Sequence, residues 1–126
     1  MKLFWIGCGG FAGAVLRYLV SGWAQQSSGS AAFPYGTLAV NVLGCLLIGG
    51  LSYLADARGM FSAETRLFVF VGLLGGFTTF STFGNETLNL LRDGELLIAS
   101  LNVTTNVVLC LVAVWAGRAG AFAIWR

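Results

Sequence analysis

The chain has 126 residues, of which 57% are apolar and only 10% charged, against roughly 25% charged in soluble domains. Mean hydropathy is +0.84, which excludes a water-facing domain of this size, and a net charge of +2 with no histidine excludes a nucleic-acid binder, imidazole metal sites and Ser-His or Cys-His catalysis. The chain reads as a single integral membrane domain over residues 1–126, with the lipid bilayer as its solvent.

A helix needs about 20 residues to cross the hydrocarbon core, and four segments qualify. The first is Leu3 to Gly22. Lys2 followed by an apolar run imitates a signal peptide, but Arg17 interrupts the run and no small-x-small cleavage site follows, so a retained span is expected. The second span is Tyr35 to Ala55, the third Arg66 to Leu91 and the fourth Leu96 to Arg118. The connections "WAQQSSGSAAFP", "DARGMFSAE" and "RDGE" are too short for a soluble domain. Four spans put both termini on one side with Lys2, Arg58, Arg66, Arg118 and Arg126, opposite Arg92 and Arg17. That count favours cytoplasmic termini. Gly9 with Gly13, and Gly72 with Gly76, are Gly-x-x-x-Gly pairs that let backbones approach, within the chain or against a second copy.

Apolar spans avoid amides because lipid offers them no partner, yet three spans carry polar residues in a pattern. Thr37 and Asn41 are four apart and share one helix face. Asn102 and Asn106 repeat that spacing in the fourth span, with Cys110 on the same line. In the third span Phe80 and Phe83 flank Ser81 and Thr82. Interhelical hydrogen bonding is the structural reading of such groups. Their functional reading is a row of neutral donors for a small anion, which a full positive charge would hold too tightly.

The stretch "GGFTTFSTFGNE", Gly75 to Glu86, sharpens this reading. Two adjacent glycines followed by Thr78 and Thr79 make a poor continuous helix. A local break is expected there. Carbonyls freed at bilayer depth must be satisfied by protein, water or an ion. They are hard oxygen ligands for a small cation. Phenylalanine edges carry partial positive charge, so an anion can sit in the ring plane.

With "GTLAVN" (Gly36 to Asn41), "GLLGGFTTFSTFGNE" (Gly72 to Glu86) and "GGFAGAVLRY" in the first span, the chain resembles the Fluc (CrcB) family of fluoride channels along nearly its whole length. The resemblance implies an all-α membrane protein with four transmembrane helices per subunit, the third broken near its centre. It further implies an antiparallel, dual-topology homodimer with two pores. The implied activity is passive, selective fluoride export across the cell inner (cytoplasmic) membrane, not an enzymatic reaction. By motif, Asn41, Phe80 and Phe83 line the pore, with Thr37, Ser81 and Thr82 continuing a polar track. A central structural sodium ion is implied at the dimer interface, on the main-chain carbonyls of Gly75 and Thr78. Asn102 and Asn106 stand where many members carry a tyrosine and a serine, and Gly84 where a serine is common.

Three further readings complete the set. Arg17 either concentrates anions at a vestibule or snorkels as an interface anchor. Glu86 is either a pore-proximal acid or a partner in helix contacts. Cys8, Cys45 and Cys110, far apart in sequence and without Cys-x-x-Cys spacing, read as free thiols packed as small hydrophobes. The competing functions are a small multidrug-resistance type transporter and a non-transporting assembly subunit. The former needs an acid in its first span, and none is present.

Overall fold

Lipid cannot hydrogen-bond a peptide group, so each apolar run closes its own backbone bonds as a helix. The computed structural model describes residues 1–125; Arg126, counted above among the basic residues, lies outside them. Helix α1 is Lys2–Ser28 and α2 is Tyr35–Ala57. The third span starts as Ala63–Arg66, widens to a π-helix over Leu67–Leu74 and regains α geometry over Gly75–Phe77. We call residues 63–77 α3, Phe80–Arg92 α4 and Leu96–Trp125 α5. Counting 63–92 as one, four helical stretches are long and apolar enough to cross a membrane, and no strand occurs among the described residues. The protein is a multi-pass membrane protein.

Three boundaries differ from the expected spans by three residues or more. Helix α1 continues six residues past Gly22, through "WAQQSS", before Gly29 caps it at φ 64°. Helix α5 runs seven residues past Arg118, and the third span begins three residues before Arg66. The crossing length is a minimum, and a helix carries on beyond the hydrocarbon wherever nothing stops its hydrogen-bond ladder. The start of α3 is set by Ser62, whose side chain accepts from the Thr65 N–H at 3.2 Å. An exposed Arg66–Asp56 ion pair at 2.6 Å ties that start to the end of α2.

The helices pair as α1 with α3 and α2 with α5, and α1 also touches α2. Both Gly-x-x-x-Gly pairs meet each other within one chain. A Cβ at Gly9 would fall on the Phe68 carbonyl oxygen, and one at Gly13 on that of Leu73. From the other side, a Cβ at Gly72 would meet the Ile6 carbonyl, and one at Gly76 the Gly10 carbonyl. Helices α2 and α5 run parallel, as second and fourth spans must, with a constant offset. Asn41 bonds Asn106, a Cβ at Gly49 would strike Val114, and Tyr53 lies under Arg118. The face of α2 that carries Asn41 therefore meets the face of α5 that carries Asn106.

Gly72→Val places a branched side chain against fixed backbone. It is expected to destabilise the subunit by about 1–3 kcal/mol, the usual cost of overpacking, seen as a lowered melting temperature in detergent. Gly7→Ala, whose Cβ meets nothing, should leave melting unchanged; equal effects of the two would disprove the α1–α3 seam.

Candidate functional site at the α3–α4 junction

Two extended residues separate α3 from α4: Thr78 (φ −84°, ψ 159°) and Thr79 (φ −149°, ψ 116°). The glycines just before them are helical. Gly76 is needed for its close approach to α1, and the change of course falls on the threonines instead. In a continuous helix the Thr79 N–H would bond the Gly75 carbonyl four residues back. Here it donates to Asn41 Oδ1 at 2.8 Å, and Asn41 Nδ2 donates in return to the Thr79 carbonyl at 3.1 Å. One half-buried amide thus serves both backbone groups of a residue that has left the helix. Thr79 then caps α4, its hydroxyl accepting from the Thr82 N–H at 3.2 Å.

Asn41 spends its second N–H on Asn106 Oδ1 at 3.1 Å. Asn106 donates to the carbonyl and side-chain oxygens of Asn102 at 3.0 and 2.9 Å. Asn102 donates to the Thr87 hydroxyl at 3.0 Å, and Thr87 donates to the Phe83 carbonyl at 2.8 Å. This chain of bonds links α2, α5 and α4. Both N–H groups of Asn41 and both of Asn106 are engaged, and Asn102 is fully buried. Ser81 and Thr82 differ: both are exposed, and neither hydroxyl hydrogen is taken up among the described residues.

The rings of Phe80 and Phe83 lie 5.4 Å apart at 54°. Phe83 is buried, but Phe80 is 82% exposed. Both border a cavity of about 480 Å³ that also takes in Asn41, Asn106, Gly75 and Thr78. On the other side of the junction, Arg17, Ser21, Thr37 and Thr82 share a smaller chamber of about 220 Å³. Arg17 Nη1 reaches the Thr78 carbonyl at 3.5 Å, so the guanidinium stands beside the junction. Thr37 donates to Glu86 Oε1 at 2.7 Å, and Glu86 Oε2 is buried with no partner among the described residues. Glu86 also borders a depression of about 690 Å³ with Gln25, Asn89 and Asp93.

No group of three or more His, Cys, Asp or Glu could hold a metal among the described residues, so a hard cation here depends on carbonyls. Gly75 has lost the Thr79 N–H to Asn41, Thr78 meets only a long contact from Arg17, and both residues border the larger cavity. Two such carbonyl oxygens are hard donors of the kind a small cation takes, and further ligands would have to come from elsewhere.

A family model described as CrcB-like protein, Camphor Resistance (CrcB), matches residues 4–118. The chain belongs to the CrcB family. Among curated CrcB relatives, a protein named fluoride-specific ion channel FluC from Elusimicrobium minutum is 54% identical over 118 residues, covering 92% of this chain and 90% of the relative. Proteins of the same name from Geotalea daltonii and Geobacter sulfurreducens are 49% and 54% identical, covering 94% and 86% of this chain and 95% and 86% of those relatives. These CrcB relatives are named as ion channels and not as enzymes.

Of the residues that organise this CrcB site, the sequence marks Thr79 only as part of the expected break and does not mark Gln25 or Thr87. Thr79 carries a signal that sequence does show, a hydroxyl residue directly before an amphipathic run. Gln25 ties down the first loop, donating to the Ser30 and Phe33 carbonyls at 2.6 and 3.1 Å and accepting from the Gly36 N–H at 3.0 Å. Thr87 acts only as a bridge, which no local pattern marks. Asn41→Leu removes every partner of the Thr79 peptide groups, and should lower stability in detergent by about 1–3 kcal/mol per orphaned group. Asn41→Asp keeps the acceptor for the Thr79 N–H, so its melting temperature should lie between those of wild type and Asn41→Leu. The reverse order would show that Asn41 does not hold the junction.

Proposed function

We propose that the chain is one subunit of a fluoride channel that works as an antiparallel, dual-topology homodimer in the cytoplasmic (inner) membrane. What carries this reading is the ring-and-hydroxyl cluster at residues 80–83, within a chain about half identical to proteins named fluoride-specific ion channels. Fluoride enters a cell as the neutral acid and ionises inside. A passive pathway suffices for export, because the membrane potential drives the anion outward.

A small, strongly hydrated anion crosses only if close donors replace its water. Ser81 and Thr82 are the exposed hydroxyls whose hydrogens are free to do so. The edges of Phe80 and Phe83 supply further positive potential without a fixed charge. Asn41 positions the junction. An anion that reaches Asn41 or Asn106 takes over a bond the amide now makes within the chain. Thr37 lies on the other side, bonded to Glu86, and Arg17 beside it raises the local concentration of anions at the smaller chamber. Chloride, being larger, fits such a narrow donor-lined track poorly.

The exposed Phe80 and the open cavity support a second copy as the missing wall, giving two equivalent pathways per dimer. The carbonyls of Gly75 and Thr78, with their counterparts, would hold a sodium ion there, whose charge would stabilise carbonyls turned away from the helix ladder. A small multidrug-resistance type mechanism is disfavoured, because it needs an embedded acid in the first span and Lys2–Ser28 contains none.

In proteoliposomes the wild type is expected to release fluoride and retain chloride, read with ion-selective electrodes. Phe80→Ile and Phe83→Ile should each slow fluoride efflux by about tenfold, the change for about 1.4 kcal/mol lost from the barrier, with the dimer intact. Unaltered efflux in both would remove the ring edges from the mechanism, and equal passage of chloride would overturn the channel reading.

A further inference from the structure

Cys45 and Cys110 lie 65 positions apart in the sequence. The parallel register of α2 and α5 brings them opposite each other. One turn towards the helix starts, Asn41 bonds Asn106 at 3.1 Å; one turn the other way, Gly49 lets the Val114 carbonyl approach closely. The thiols are thus held between two tight contacts of the same seam. Both side chains border the 480 Å³ cavity. Neither forms a disulfide, whereas Cys8 lies exposed elsewhere on α1.

We propose that Cys45 and Cys110 form a two-thiol site for a soft divalent metal ion of linear coordination, typified by Hg(II), inside this cavity. Thiolates select soft ions, and the proposed ion needs only two ligands. The surroundings choose the charge. Gly44, Ile48, Leu74, Val107 and Leu111 make the cavity largely apolar, and an isolated ion is costly to bury there. A divalent ion with two thiolates is neutral, while a monovalent one would leave a net negative charge. Delivery as neutral HgCl2 suits a site at bilayer depth. Two S–H and two Hg–Cl bonds break, two Hg–S bonds form, and two HCl leave; nothing is oxidised or reduced. The bridge would fasten α2 to α5 one turn from Asn41 and Asn106. Its consequence for transport, a block of fluoride efflux, rests on the channel reading above; binding itself does not.

The test uses purified Cys8→Ser dimer in detergent, titrated with HgCl2. The expected result is one mercury per chain, a bis-thiolate charge-transfer band in the ultraviolet, and loss of both remaining thiols to a chromogenic disulfide reagent. Cys45→Ser and Cys110→Ser, each made in that background, should lose the band and keep one thiol that a small monothiol readily strips of mercury. Two mercury ions bound independently per chain, or a band that survives either substitution, would overturn the site. In proteoliposomes of the Cys8→Ser protein, efflux should stop on adding HgCl2 and resume with a dithiol, with no such block in Cys45→Ser. A bis-thiolate band formed without any change in efflux would overturn the coupling to transport.

Discussion

The structure depends on one exchange of partners: the Thr79 N–H leaves the Gly75 carbonyl and goes to Asn41. At bilayer depth a helix cannot simply stop, because each orphaned peptide group costs several kcal/mol. Asn41 meets that constraint with one acceptor and one donor for the same residue. Thr79 completes the change by capping α4 with its own hydroxyl. The released carbonyl of Gly75 follows from this exchange.

Asn41 can act in this way only because α2 is held in register against α5. Gly49 and Gly117 let the two backbones close up, Asn106 receives the remaining N–H of Asn41, and Asn102 and Thr87 carry the connection to α4. On the other side, Gly72 and Gly76 seat α3 against α1 and bring Arg17 to the Thr78 carbonyl. Glycine seams therefore set the distances, and the amides and hydroxyls use them. The same seam that aligns Asn41 with Asn106 aligns Cys45 with Cys110, so the polar contact and the proposed soft-metal site have a common geometric origin.

Much of this was legible in advance. The four apolar runs marked the four helices, since lipid admits few other structures, and the four-residue spacing of Thr37 with Asn41 and of Asn102 with Asn106 marked the faces that carry polar groups. The Gly-x-x-x-Gly pairs marked close approach but left open which helices would approach. The helix ends were read short at Gly22 and Arg118, because hydropathy marks the edge of the hydrocarbon and not the end of the backbone ladder. Gln25 and Thr87 were missed because each acts through partners distant in sequence.

The sequence by itself determined that this chain lives in a membrane as helices, that neutral donors and phenylalanines gather near its centre, and that no histidine or first-span acid takes part. Those properties follow from composition and from the helical period. Only the tertiary structure decided which donors remain free. Asn41 and Asn106 have their N–H groups engaged, while Ser81 and Thr82 do not. It also decided that Arg17 stands beside the junction and that Cys45 and Cys110 border one cavity. The physical reason is that a hydrogen bond or a thiol pair is a relation between helices, and the offset between two helices is fixed by side chains interlocking along a seam, not by the local pattern of either one.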